Sequence, residues 1–339
     1  MARVTIADIA RKAGVSTGAV SYALNNRPGV SEETRARILR VASEMGWAPS
    51  AAARSLSGAK TETVGLVLAR HPSTLGVESF YMQFIAGIES VLTERSYALL
   101  LQVVPDTDAE MRTYRHWRAA RRVDGVIMVD PRPDDPRVEL LSGPDQLPAV
   151  VVGDPSLTGS LTSVWTDDAA AMRECVRYLH AMGHRRIARI GGVSHFGHTT
   201  IRDAAFREEC ALLGVVGLSA ETDYTPAEGA SATRALLLAP ERPTAIVYDN
   251  DVMALSGMGV AREMGVVVPD DVSLIAWDDS PLCEATFPRL TALSHDVTSY
   301  GAHTARRLFA RMEGAEPGAF LDSTPALRPR GTTARRRRD

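Results

Sequence analysis

After residue 60 the chain is punctuated by continuously apolar runs: VGLVLA (64–69), ALLLQVV (98–104), GVIMV (125–129), AVVVG (149–153), RIARIGG (186–192), TAIVYD (244–249) and VSLIAWD (272–278). Between them, at about 80–95, 108–121, 168–182, 200–213, 228–238 and 251–264, apolar residues recur three and four apart, the period of a helix with one face turned inward. Strands apolar on both faces that alternate with helices indicate parallel sheets covered on both sides. There are too many strands for one compact sheet, so two doubly wound subdomains are expected. The stretch 290–312 supplies a further strand and helix after the second set, placed to return to the first.

The first 46 residues follow a different rhythm and read as three short helices. Thr5 and Asp8 form the ends of a capping box for a helix reaching about Ala13, and Gly14 suits a residue of positive φ. Ser16 caps a second helix, Thr17 to Leu24, and Ser31 a third that begins at Glu32-Glu33 and ends before Gly46. Ile6, Ile9, Ala10, Val15, Val20, Leu24, Ile38, Val41, Ala42 and Met45 make a miniature core. Two short helices joined through Gly14-Val15-Ser16 match a helix-turn-helix, whose second helix enters the major groove. In 47–62 Pro49 breaks the chain, and Ser50 caps an Ala-rich segment to about Ser57 that is too short to be a stable helix alone.

Net charge alters the picture only once it is divided. The 339 residues sum to −3, which by itself argues against a polyanionic partner. Yet residues 1–60 hold nine Lys/Arg against four acids, giving +5, and 328–339 hold six Arg and one Asp, another +5. The stretch 61–327 therefore carries −13, and a small basic head is fused to an acidic body. Three well-separated cysteines (Cys175, Cys210, Cys283) indicate neither a disulfide framework nor a CxxC site. Asp8, Arg11 and Lys12 stand where a signal peptide needs its apolar core, and no run reaches membrane-spanning length, so a cytoplasmic protein is expected.

In open α/β sheets ligands bind beyond the carboxyl ends of the strands. Those ends read Arg70, Asp130, Asp154, Asp249-Asn250-Asp251 and Asp278-Asp279, acids and amides with few cations, suited to sugar hydroxyls. Phe80, Tyr81, Trp165, Tyr224 and Trp277 are the aromatics available to stack on a sugar face or to pack in the core.

The blocks TIADIARKAGVSTGAVSYALN, RPGVSEETRARILRVASEMGW, APSAAARSL, MGHRRIARIGG (182–192), PTAIVYDNDVMAL (243–255), VPDDVSLIAWDDS (268–280) and FPRLTALSHD (287–296), in that order, closely resemble the LacI/GalR (lactose-repressor/galactose-repressor) family of bacterial transcription regulators over residues 4–325. The resemblance implies an all-α helix-turn-helix head (1–47), a hinge helix or linker (48–60), and a periplasmic-binding-protein-like α/β body (61–327) of two doubly wound parallel-sheet subdomains. The N-subdomain is expected at about 61–162 plus 292–325, the C-subdomain at about 163–291, and a solvated basic tail at 328–339.

It implies, too, that Thr17 and Gly18 face base edges and that Ser16 and Ser21 serve phosphate contact or helix packing. Tyr22 stands where Arg is usual, so direct readout should rest on Thr17, Tyr22 and Asn25 or Asn26. Thr5, Arg27 and Ser31 complete the DNA-facing set of the head. Leu56 matches the hinge residue that wedges the minor groove, with Ala53 beside it and Arg54 reaching phosphate. For the effector, Phe80, Arg202, Tyr224, Asn250, Asp251, Asp278 and His295 match the family's pocket, His295 replacing a usual glutamine.

The expected activity is therefore that of a homodimeric, or higher-order, DNA-binding regulator and repressor at the nucleoid. A small-molecule effector, a mono- or oligosaccharide, releases it from its operator or tightens it there, with no membrane, metal or cofactor involved. Two rivals are a transport component with the same body, which needs an export signal, and an α/β enzyme. Against the enzyme, His180 and His184 have a zinc-pair spacing without its glutamate, Gly191-Gly192 makes no phosphate loop, and no nucleophile–base arrangement emerges.

Overall fold

The computed structural model describes residues 4–25, 27–47, 60–70, 79–143 and 145–336. They form two compact units, divided between Thr61 and Glu62. The hinge expectation, with Ala53, Arg54 and Leu56, lies outside the described residues, as does Asn26.

The head contains α1 (Ile6–Ala13), α2 (Thr17–Leu24) and α3 (Glu32–Glu44). Its capping box forms as expected: Asp8 N donates to Thr5 Oγ1 at 3.3 Å and Thr5 N to Asp8 Oδ2 at 3.0 Å. Gly14 closes α1 in the left-handed region, at φ 67°. Ile9, Val20 and Ile38 are fully buried at the centre of the three helices.

In the second unit the chain runs β1 (Thr63–Leu68), α4 (Ser79–Glu94), β2 (Ala98–Val103), α5 (Thr107–Ala119), β3 (Gly125–Met128), α6 (Pro136–Leu141), β4 (Ala149–Val152) and β5 (Thr162–Thr166). It continues with α7 (Asp168–Ala181), β6 (Arg186–Gly191), α8 (Gly197–Leu212), β7 (Val216–Glu221), α9 (Pro226–Leu238), β8 (Ala245–Tyr248), α10 (Asp251–Glu263) and β9 (Ser273–Trp277). The last elements are α11 (Pro281–Ala285), β10 (Thr291–Ser294), α12 (Val297–Met312), β11 (Ala319–Ser323) and β12 (Ala326–Arg328). One sheet has the order β11-β5-β4-β3-β1-β2, all parallel; the other has β12-β10-β9-β8-β6-β7, with only β12 antiparallel. Each sheet has a buried apolar cluster on either side, as strands apolar on both faces require.

The lobe boundaries differ from the expected ones. β5 pairs with β4, so the first lobe continues to Thr166 rather than ending near 162. β10 pairs with β9 in the second sheet, so the return to the first lobe comprises α12 and β11, not all of 292–325. The backbone thus passes between the lobes three times, after β5, β10 and β11.

Residues after 328 were expected as a solvated tail, yet they close the base of the second lobe through 336. Thr332 is fully buried, its hydroxyl donating to Leu274 O and accepting from Thr291 N, both at 2.8 Å. His184 places one ring nitrogen 2.9 Å from Thr244 Oγ1 and the other 3.2 Å from Ala334 O; its pair with His180 is a helix end.

Helices α4 and α12 lie together against the first sheet, and two glycines let their backbones meet. A Cβ at Gly87 would stand 1.9 Å from Thr298 O, and one at Gly301 2.1 Å from Phe84 O. This crossing fixes the start of α4, and with it Phe80 and Tyr81.

Candidate functional site

On the head, Ser16 Oγ accepts from Ala19 N at 3.1 Å and starts α2, leaving Thr17 and Gly18 exposed in its first turn. Tyr22, one turn on, is 45% exposed, and its ring leans on the Gly29 turn, where a Cβ would come within 3.2 Å. Ser21 is half-buried and its carbonyl accepts from the Asn25 side-chain amide at 2.8 Å. Arg27 is exposed, and its carbonyl is held by Arg35 Nη2 at 2.9 Å. Thr5 and Ser31 spend their hydroxyls on the helix caps. The Thr5 bonds hold the Asp8 carboxyl below its usual range.

In the body a cleft opens between the lobes, where the carboxyl ends of both sheets face one another. Its cavity measures about 120 Å³. Three lining residues that follow strands, Asp130, Tyr224 and Asp278, have φ of 51°, 70° and 65°, a conformation that costs about 1–3 kcal/mol for residues other than glycine and recurs at ligand clamps.

The first lobe contributes a locked ion pair. Arg70 donates from Nε and Nη2 to the two oxygens of Asp130, each at 2.8 Å, and Tyr81 OH adds a bond at 2.9 Å. Burial pushes the Asp130 carboxyl upward, but the Arg70 charge and bonds more than reverse this, holding it far below the carboxylate range. Behind it, buried Arg137 donates to Asp130 O at 2.7 Å and to Glu110 Oε2 at 2.8 Å. Arg70 also crosses the cleft: its guanidinium lies 4.2 Å from the ring centroid of Phe196 in the second lobe.

From the second lobe, Arg202 donates to Asp168 Oδ2 at 2.8 Å and stacks 3.7 Å above Trp277. Arg189, behind the lining, bonds Asp249 Oδ1 at 2.9 Å. Tyr224 OH lies 2.7 Å from both His198 Nε2 and Thr199 Oγ1. Burial first, then the Arg202 charge, push His198 down to about 3. His295 is likewise pushed down by burial, and among the described residues neither ring nitrogen has a hydrogen-bond partner.

Of the residues expected at the effector site, Phe80, Arg202, Tyr224, Asn250, Asp278 and His295 line this cleft. Asp251 does not: it is the first residue of α10, is 3% exposed and lies outside the lining. Asn250 has a structural duty as well, since its Oδ1 caps α10 by accepting from Met253 N at 2.9 Å. Trp277 lies beneath Arg202, and neither it nor Trp165 lines the cavity. The residue-by-residue matching missed Thr166, Asp168, His198, Ile201 and Tyr300; Thr166 ends β5 and the others stand on helices, with no local signal. The strand ends looked poor in cations; Arg202 reaches the cleft from a helix instead. Among the described residues no group of three or more His, Cys, Asp or Glu could hold a metal ion, and no helix is long and apolar enough to cross a membrane.

Residues 5–50 match the family described as bacterial regulatory proteins, lacI family, and 176–333 match the periplasmic binding protein-like domain. Over 312 residues the chain is 30% identical to the HTH-type transcriptional repressor PurR of Escherichia coli, covering 91% of this chain and 90% of that one. The chain belongs to the LacI family. Another member, the HTH-type transcriptional regulator CelR of Thermobifida fusca, is 31% identical over 92% of this chain and 93% of its own. Two solved LacI-family structures are similar throughout. The lac repressor dimer bound to operator and the anti-inducer ONPF has a TM-score of 0.86 and 25% identity, covering 98% of this chain and 100% of that one. A CelR–cellobiose complex has 0.72 and 29%, covering 97% and 100%. This LacI-family chain is accordingly a DNA-binding transcriptional regulator with a ligand-binding body.

Proposed function

We propose that the protein is a cytoplasmic repressor, not an enzyme, that binds a partly palindromic operator as a homodimer and answers to a sugar held in the cleft. The observation that carries the reading is the cleft itself: strained carboxylates at strand ends, guanidinium groups fixed by acid partners, the half-buried Phe80 ring, and the unpartnered nitrogens of His295. Such an array matches a polyhydroxylated ligand whose hydroxyls both give and accept. The CelR–cellobiose complex and the operator-bound lac repressor dimer support it by kinship.

In this reading Thr17, Tyr22 and Asn25 read bases, Ser16, Ser21 and Arg27 meet phosphates, and Thr5 and Ser31 set the helix ends that face DNA. Leu56, with Ala53 and Arg54, enters the minor groove at the hinge. Phe80, Arg202, Tyr224, Asn250, Asp278 and His295 hold the sugar. A ligand touching both lobes shifts their arrangement by its differential affinity, and a few kcal/mol suffice to move the population.

The test is selection of bound sequences from a random duplex pool by the full chain, followed by titration with salt and a sugar panel. Affinity should fall steeply with salt, and at least one sugar should change it; Asp278→Ala should abolish that response while leaving operator binding intact. Salt-independent binding, or an unchanged response in Asp278→Ala, refutes the assignment it addresses.

A further inference from the structure

We infer that the first lobe carries a second ligand site, apart from the cleft, for a small carboxylate with an apolar body. It lies between α5, α6 and the loop after α6, where a cavity of about 300 Å³ is lined by Tyr114, Leu140, Leu141 and Leu147 together with Arg115 and Arg118. None of these residues lines the cleft, whose cavity is the smaller of the two at about 120 Å³. The site therefore stands whether or not the cleft takes a sugar. Its walls are apolar. Tyr114 is 1% exposed, and its hydroxyl is spent inward, donating to Glu110 Oε1 at 2.6 Å while Glu110 Oε2 accepts from Arg137 at 2.8 Å. Leu141 is buried, and Leu140 and Leu147 are half-buried. Beyond the two arginines and that committed hydroxyl, Gln146 is the one polar side chain among the described lining residues, too little to satisfy the many hydroxyls of a sugar.

Charge marks the same place. Residues 61–327 sum to −13, yet five of their 23 cations, Arg112, Arg115, Arg118, Arg121 and Arg122, fall within eleven residues. All five are exposed, and among the described residues none of them is in an ion pair, whereas eleven other arginines of the body are. Arg112, Arg115 and Arg118 stand three apart and so share about 120° of the α5 surface, where like charges repel. The helix dipole favours cations in the last turn, which accounts for Arg118 but not for Arg112 or Arg115 a turn earlier. A carboxylate set between Arg115 and Arg118 meets planar donors that match its two oxygens, and its apolar body lies on the leucines and the Tyr114 ring. Only an anion with such a body uses both halves of the lining.

The experiment titrates the full-length protein by calorimetry with 1-naphthoate and with 1-naphthalenemethanol, its uncharged counterpart. Naphthoate should bind at least about tenfold more tightly than the alcohol, the effect of the charge-assisted bonds. In the double variant Arg115→Gln, Arg118→Gln that advantage should be lost, with naphthoate weakened by at least about tenfold. Arg112→Gln, on the same helix face but outside the lining, should change naphthoate binding by less than about threefold. The replaced side chains are all exposed, and an unchanged Tm verifies that the variants fold. Equal binding of acid and alcohol, or naphthoate binding unmoved in the double variant, overturns the inference. So does a protein that binds no naphthoate; if a duplex without the operator loses affinity in the double variant instead, the arginine face belongs to nucleic acid and not to a small anion.

Discussion

The crossing of α4 and α12 lets one substitution be judged in sign before it is made. In Gly301→Ala the new Cβ would lie 2.1 Å from Phe84 O, 3.0 Å from its carbonyl carbon and 3.1 Å from Ile88 N. An aliphatic carbon settles no closer than about 3.3 Å to a carbonyl oxygen, so the helices must separate by over 1 Å. Backbone is the obstacle, so no side chain can simply rotate away. A gap of that size forfeits a quarter to a half of the dispersion energy between facing atoms, here those of Phe84, Ile88, Tyr300 and Ala305, all buried.

Overpacking of this kind costs about 1–3 kcal/mol, and the better helix propensity of Ala returns at most about 1. The net loss, about 1–2 kcal/mol, should lower Tm by about 2–8 °C for a unit of this size. The control is Gly259→Ala on α10, where a Cβ would meet nothing within 4 Å; it should stabilise by about 0.5–1 kcal/mol. Thermal and urea unfolding followed by circular dichroism distinguish the two. If Gly301→Ala matches or exceeds the parent in Tm, the close approach of the two backbones is wrong.

Three further outcomes are expected. His198, neutral in the fold and pushed down to about 3, binds no proton over a range in which the unfolded chain, titrating near 6.5, does. Stability is therefore complete above that value and lost as pH falls, by about 2 kcal/mol between pH 6.5 and pH 5; urea unfolding across that range should show a flatter slope in His198→Gln, and an equal slope removes this histidine from the account. Tyr22→Ala should weaken binding to the selected operator by about 1–3 kcal/mol in fluorescence anisotropy and leave sugar affinity untouched, whereas undiminished binding would exclude Tyr22 from readout. Thr332→Val keeps shape but strips partners from Thr291 N and Leu274 O, so calorimetry should show a loss of about 1–3 kcal/mol, and no loss would return this segment to the status of a solvated end.

The strands legible in the sequence were those with continuous apolar runs, most of them buried on both faces; β2 showed too, through its run at 98–104, although it is an edge strand and largely exposed. β1, β3, β4, β6, β8 and β9 are nearly all interior and announce themselves as apolar runs. β7, β11 and β12 lie at or next to sheet edges with mixed polarity, and β5 carries three Thr or Ser in five residues, so none of them showed. The helix caps of the head were readable because each is a local bond within four residues. Arg70, Asp130 and Asp249 could be read as strand ends, but not that Arg70 pairs with Asp130 or that Asp249 pairs with Arg189. The Arg202–Asp168 bond spans 34 residues and the Arg189–Asp249 bond 60, and no local pattern encodes such pairs.

The first lobe is built from two stretches of chain far apart in order, one ending at Thr166 and one supplied by α12 and β11. On the ribosome it is the earlier lobe to begin, yet its last strand, β11, is made only shortly before β12 and the segment to 336 close the other lobe. Its inner face, with Phe84, Ile88 and Leu92, awaits a helix that ends at Met312, 146 residues after β5 is complete. At about 5–20 residues per second that is an interval of roughly 7–30 s. For that time an apolar helix face stands uncovered on a nascent protein whose DNA-reading head is already made, a window in which a chaperone has something to hold.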